Sequence, residues 1–135
     1  MSLMVDTNVL MSALISDSTT GRILVTADEK FYAPETVIKE IGEHSELLEK
    51  KSGLTEKELS ELFERLFKYV QIVPERQFRS YLPRAKDELG ETDPDDVVFL
   101  AAALAVGCDI WSDDSDLKEQ GSVRVFTSSE IVEKF

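Results

Sequence analysis

The chain has 135 residues, of which 42% are hydrophobic and 31% charged, which fits one soluble globular domain with a sizeable core. With 27 acidic residues against 15 basic ones, the formal net charge is -12. That balance argues against tight, non-specific nucleic-acid binding, which draws on Lys and Arg, and leaves room for a basic partner segment. It does not exclude a nuclease, because metal ions offset repulsion locally. The single cysteine, Cys108, rules out an intrachain disulfide and is expected to be a small buried hydrophobe. No apolar run approaches the roughly 18 residues of a membrane span. The opening Met1-Ser2-Leu3-Met4-Val5 does not look like a signal peptide, so the cytoplasm is the expected location and no membrane partner is expected.

In chain order, Leu3-Met4-Val5 reads first, as a strand ended by Asp6-Thr7-Asn8. Val9, Leu10, Ala13 and Leu14 then recur at helical spacing. Ser18-Thr19-Thr20-Gly21 is the expected start of a second short helix through Val25, and Phe31-Tyr32-Ala33 is a second strand. Pro34 is expected in the first turn of the next helix, whose apolar face would be Val37, Ile38, Ile41, Leu47 and Leu48. Lys50 to Gly53 should break it. Thr55 to Glu58 is a capping box, opening a helix with Leu59, Leu62, Phe63, Leu66 and Phe67 on one face.

Val70 to Val73 is a third strand closed by Pro74. Glu75 to Leu89 should be helical with a break or kink at Pro83. Asp93-Pro94-Asp95-Asp96 has the signature of a helix start: a capping acid, a first-turn proline, and acids at the positive end of the dipole. Val97 to Val106 is apolar nearly all round, so that helix should be central and end at Gly107. Asp109-Ile110-Trp111 is a fourth strand and Val123 to Phe126 a fifth, and Ser128-Ser129-Glu130 starts a terminal helix. Short strands alternating with helices predict a single α/β domain over residues 1–135, its parallel sheet covered on both faces.

Ligand sites in such sheets lie beyond the carboxyl ends of the strands. Asp6 follows the first strand, Glu40 sits in the helix after the second, Asp96 is in the first turn of the buried helix, and Asp114 follows the fourth strand. Singly, each has an ordinary explanation as a cap, a dipole residue or a solvated acid. Together they place four carboxylates at one sheet edge. At about 4 Å and an effective dielectric of about 20, each like-charge pair costs roughly 4 kcal/mol, so such a cluster needs protons or cations. Carboxylate oxygens suit the hard ions Mg²⁺ and Mn²⁺, and phosphodiester hydrolysis is the chemistry that most often uses them.

Four ordered segments resemble the PIN domain family: Val5-Asp6-Thr7-Asn8; Ala33-Pro34-Glu35-Thr36-Val37-Ile38-Lys39-Glu40-Ile41; Asp96 to Leu104; and Trp111-Ser112-Asp113-Asp114-Ser115-Asp116-Leu117. PIN domains are compact α/β folds, many of them Mg²⁺- or Mn²⁺-dependent ribonucleases. Small single-domain members include the VapC toxins of toxin–antitoxin pairs. The resemblance implies Asp6, Glu40, Asp96 and Asp114 as the catalytic acidic quartet. Asp6, Asp96 and Asp114 would be the metal ligands, with one or two ions bound. Asp116 and Asp93 are auxiliary acids; Thr7, Asn8 and Ser112 are auxiliary polar residues. The expected reaction is endonucleolytic hydrolysis of RNA leaving a 5′-phosphate and a 3′-hydroxyl.

Arg76, Arg79, Arg84 and Lys86 are the candidate RNA contacts, although Glu75, Asp87 and Glu88 flank them and a solvated face explains them as well. His44, the single histidine, is expected to be exposed, and Trp111 packed. The helix faces at 37–48 and 59–67 are mostly core; some of that surface is a candidate for a homodimer contact or for clasping an antitoxin, as the resemblance implies. The alternative is a non-catalytic PIN-fold scaffold that binds RNA or protein, against which the intact quartet speaks. A haloacid-dehalogenase-type phosphatase is disfavoured because Asn8 stands where its second Asp belongs. A phosphoreceiver lacks its early acidic pair and its late lysine.

Overall fold

A computed structural model describes residues 1–15, 19–91 and 93–135. Five strands are all parallel: β1 (Ser2–Val5), β2 (Lys30–Pro34), β3 (Val70–Val73), β4 (Asp109–Trp111) and β5 (Val125–Phe126), in the order β3-β2-β1-β4-β5. The connection from β1 runs outward to β2 and β3, then returns across the sheet to β4. Strand order therefore reverses at β1, and the crevice between the carboxyl ends of β1 and β4 is the topological switch point. Val5 pairs with Trp111, which sets Asp6 and Ser112 level at that crevice.

The helices are α1 (Thr7–Ala13), α2 (Thr19–Thr26), α3 (Thr36–Glu43), α4 (Ser45–Ser52), α5 (Glu56–Leu66), α6 (Glu75–Phe78), α7 (Leu82–Leu89), α8 (Pro94–Val106) and α9 (Ser128–Lys134). Right-handed crossovers put connections that run in opposite directions on opposite faces. Accordingly α2 packs with α1, α5 and α9 on one side, while α8 lies with α7 across β1, β2 and β4 on the other. The α/β architecture with both sheet faces covered is thus as expected. Among the described residues, no helix is long and apolar enough to cross a membrane.

α8 is the central helix that the sequence implies. Phe99, Leu100, Ala101, Ala102 and Ala103 are buried, and the run of alanines lets the helix lie close to the strands. Asp93 caps it by accepting from the Asp95 amide at 2.9 Å, and Gly107 ends it at φ 79°, a left-handed conformation that favours glycine. The capping box at Thr55 and Glu58 forms as expected, and a second one, Thr127 with Glu130, starts α9. Pro83 sits in the first turn of α7, after a 3-10 turn at Arg79–Tyr81 has ended α6. Cys108 is buried, and burial together with the neighbouring Asp109 pushes its thiol up to about 12.

Three expectations need correction. Pro34 is the last residue of β2 rather than a first-turn residue, and α3 begins at Thr36. The helix foreseen over 37–48 is broken at His44 into α3 and α4. Val37, Ile41 and Leu48 share one stripe at about 100° per residue, and all three are buried. Ile38 and Leu47 fall roughly 80–100° to either side of it, and they stand 48% and 45% exposed. Finally, β5 starts at Val125, not Val123, because the Gln120 side chain holds both backbone groups of Val123: its amide donates to Oε1 at 2.9 Å and its carbonyl accepts from Nε2 at 2.7 Å. Ser18, the expected start of α2, lies outside the described residues.

Leu100 is fully buried against the sheet, so Leu100→Ala should destabilise the domain by about 2–5 kcal/mol. Thr55→Ala, which removes one exposed cap, should cost about 1 kcal/mol. Urea unfolding of the two variants gives the comparison.

Candidate functional site

The switch-point crevice is a small cleft of about 140 Å³ lined by Asp6, Thr7, Asn8, Met11, Glu40, His44, Asp93, Asp95, Asp96, Phe99 and Asp114. Every member of the expected quartet therefore lines one cleft. Larger grooves exist elsewhere, including one of about 700 Å³ between α2 and α5 lined by Arg22, Leu62 and Tyr69 among others. The carboxylates nevertheless gather in the small cleft, where the strand ends converge.

Asp6 leaves β1 and caps α1. Its Oδ1 accepts from the Val9 amide at 2.9 Å, and its Oδ2 accepts from the Ser112 hydroxyl. Its own amide donates to the Trp111 carbonyl at 3.2 Å, extending the β1–β4 ladder by one bond. Burial pushes the Asp6 carboxyl above its usual range; the Ser112 and Val9 donors oppose that, and the charges of Asp113 and Asp114 add to it.

Ser112 is fully buried and joins two segments. Its hydroxyl donates to Asp6 and accepts the Asp114 amide at 3.0 Å, while its own amide donates to the Phe126 carbonyl at 3.0 Å. Asp114 in turn accepts the Asp116 amide at 2.9 Å, opening a 3-10 helix over Ser115–Glu119. Neighbouring Asp113 turns away from the cleft. Its carboxylate accepts both the amide and the hydroxyl of Ser128, at 2.7 and 2.6 Å, and so anchors α9. Trp111 is packed as expected, its ring tilted against Phe31 and its indole N–H donating to Ser128 at 3.0 Å.

Asp96 stands in the first turn of α8, only 6% exposed, and its Oδ2 has no hydrogen-bond partner among the described residues. Carboxylate oxygens of Asp96, Asp114 and Asp116 all lie within 4.8 Å of one another. Burial drives the Asp96 pKa up to about 7. The Asp114 carboxylate adds to this, repelling the ionised form and accepting a hydrogen bond from the protonated one, and Asp93 and Asp116 contribute further. A buried carboxylate oxygen without a donor, facing two more carboxylates, has the donor set of a hard divalent cation. Asp116, expected as an auxiliary acid, stands in this grouping, and both oxygens of Asp6 are hydrogen-bonded.

Glu40 and Asp95 line the same cleft. Glu40 accepts from the Thr7 hydroxyl at 2.9 Å, which ties α3 to the start of α1. Burial raises the Glu40 pKa against that hydrogen bond, with Asp95, Asp93 and Glu43 repelling its charge. Asp95 is raised by burial and then by Asp93 and Glu43. Asn8 is exposed at the rim, where it lines the cleft. Sequence reasoning missed Asp95 and His44 as lining residues. The signal for Asp95 was its shared first turn with Asp96, and for His44 its position four residues after Glu40.

The basic stretch is not brought to the cleft lining. Arg79 pairs with Glu75 at 3.6 Å, and Arg84 donates to Ser122 at 3.5 Å. Arg76 is exposed on α6, and Lys86 borders a separate groove with Leu82, Pro94 and Val98.

The raised carboxyls set the sign of the pH response. Asp96 binds its proton more tightly folded than unfolded, so the stability this proton confers is full at low pH and lost as pH rises through about 7. Without divalent metal, the melting temperature should fall between pH 5 and 8, and Asp96→Asn should flatten that slope. Thermal melts in EDTA across this range provide the check.

Known proteins share this fold. The PIN domain family model matches residues 4–133. Among solved structures, the chain is similar to VapBC2 from Rickettsia felis bound to a DNA fragment from their promoter, with TM-score 0.73, 15% identity, and coverage of 94% of this chain and 98% of that one. It is also similar to FitAcB from Neisseria gonorrhoeae, with TM-score 0.65, 19% identity, and coverage of 93% and 96%. No curated protein sequence matches it significantly. Matched over nearly its whole length and folded with its acids at the switch point, the chain belongs to the PIN domain family.

Proposed function

We propose that the protein is a metal-dependent endoribonuclease that hydrolyses RNA phosphodiesters at the acidic cleft. The observation that carries the reading is the convergence of Asp6, Glu40, Asp96 and Asp114 on one cleft, with a buried Asp96 oxygen that lacks a donor. Asp96, Asp114 and Asp116 would hold Mg²⁺ or Mn²⁺, with Asp6 alongside. When bound, such an ion supplies Lewis-acid activation of water and neutralises charge on the phosphoryl group.

The chain's own residues do the rest. Ser112 fixes the Asp6 carboxylate and the Asp114 backbone with one hydroxyl. Thr7 holds Glu40 at the cleft, where its raised pKa suits it to take a proton from an attacking water. Phe99 and Met11 are the apolar members of the described lining.

A toxin role with a protein antitoxin is part of the same proposal, because the structural neighbours are VapBC2 and FitAcB assemblies. An apolar groove of about 250 Å³, lined by Leu14, Ile38, Ile41, Leu48, Leu59 and Phe63, gives a partner segment or a second copy a surface to cover. The net charge of -12 suits a basic antitoxin. The same charge, with no Lys or Arg among the described lining residues, favours a second reading: a PIN-fold scaffold that does not cleave.

With about 10 mM Mn²⁺ and a dissociation constant on the order of 1 mM, binding should stabilise the wild type by about 1.4 kcal/mol, or a few degrees. Asp96→Asn should lose this shift. Single-stranded RNA should be cleaved in Mn²⁺ but not in EDTA, and Asp6→Asn and Asp96→Asn should lower kcat by at least about a hundredfold. Cleavage that persists in EDTA would overturn the mechanism. A scaffold would keep its binding function in both Asn variants. For the toxin role, expression in a bacterial host should arrest growth and Asp6→Asn should relieve the arrest; unimpaired growth with folded protein would count against it.

A further inference from the structure

The described lining of the cleft contains six acids, Asp6, Glu40, Asp93, Asp95, Asp96 and Asp114, and neither Lys nor Arg. Ionised carboxylates only accept hydrogen bonds, so apart from a metal ion they offer an RNA phosphate nothing but repulsion. His44 is the one side chain among the described lining residues able to carry positive charge. An imidazole also keeps at least one N–H donor in either protonation state.

Its placement is fixed, while its side chain is uncommitted. His44 sits at the break between α3 and α4, at φ -105° and ψ 16°. Its amide bonds back to the Ile41 carbonyl at 3.1 Å, and its own carbonyl accepts the Leu48 amide at 3.0 Å. Both helices therefore hold its backbone. The imidazole makes no capping hydrogen bond to α4, and among the described residues it forms no ion pair or other hydrogen bond. It stands one turn beyond Glu40 on the same face of α3, and Glu40 is itself tied to Thr7. The imidazole is thus at the rim, outward from the carboxylates.

We propose that His44 is a substrate-contacting residue, its imidazole N–H donating to a non-bridging oxygen of the RNA phosphate next to the scissile one. This rests on the nuclease reading above. A hydrogen bond to a charged phosphate is stronger than a neutral one, and this contact forms on binding rather than only at the transition state, so its loss appears in KM.

The test is steady-state cleavage of a short single-stranded RNA in Mn²⁺ by wild type, His44→Ala, His44→Phe, His44→Gln and His44→Lys. Removing the donor with Ala or Phe should raise KM about tenfold with kcat within about twofold of wild type. Gln and Lys, which each supply N–H donors, should recover most of the loss. Binding of the same RNA in Ca²⁺ should weaken in parallel for Ala and Phe. The Mn²⁺-induced rise in melting temperature should be equal in all five proteins. His44 is exposed and caps nothing with its side chain, so the variants should fold.

Unchanged KM in the Ala and Phe variants overturns the inference and leaves the nuclease reading standing. So does a collapse of kcat together with the Mn²⁺ shift, which would make His44 part of the metal site. If wild type cleaves no RNA in Mn²⁺, the nuclease reading falls first and this inference with it.

Discussion

The hydroxyl of Ser112 is the joint of the site. Among the described residues it is the side chain that touches both the acid after β1 and the backbone of the acid after β4, and it does so from a fully buried position. The switch point only brings two strand ends near each other; it does not orient the residues beyond those ends. Ser112 converts that proximity into geometry, donating a hydrogen bond to Asp6 and accepting one from the Asp114 amide. A buried hydroxyl satisfied on both sides is stiff, because letting go of either partner strands a polar group away from water.

Around this joint the fold holds groups that oppose folding. Asp6, Glu40, Asp95 and Asp96 are all pushed above the ordinary carboxylate range, in each case chiefly by burial. The rest of the domain offsets this with the packed centre of α8, the two capping boxes and the well-buried strands β1 and β4. Strain of this kind persists where the surroundings over-determine the geometry and where a ligand relieves it. The acids are also unequal. Asp96, Asp114 and Asp116 are close enough to share a cation, whereas Glu40 and Asp95 line the cleft without joining that set.

Much of this was legible in the sequence for a physical reason. Asp6, Asp96 and Asp114 sit next to strand ends or a helix start, and parallel sheets direct such positions to one edge. The caps at Asp93 and Thr55 and the stop at Gly107 come from local chemistry alone. The parts that could not be read depend on contacts between remote segments. The Thr7–Glu40 hydrogen bond joins residues 33 apart, and the Ser112–Asp6 bond joins residues 106 apart. The break at His44 has no proline to announce it, and the apolar spacing of Val37, Ile41 and Leu48 would fit an unbroken helix equally well. The closeness of Asp116 to Asp96 and Asp114 likewise comes from the 3-10 helix that Asp114 caps.

Asp113 and Asp114 are chemically identical neighbours with opposite duties. One clamps Ser128 at the start of α9, while the other faces the cleft. Their division of labour is set by register alone, counted from Ser112. Losing Asp113 would put Asp114 in the clamp position and Ser115 at the cleft, and gaining a residue after Ser112 would put Asp113 at the cleft and the inserted residue in the clamp position. The loop after β4 is therefore intolerant of length change at a place where surface loops usually vary freely, and its spacing, as much as its composition, identifies the site.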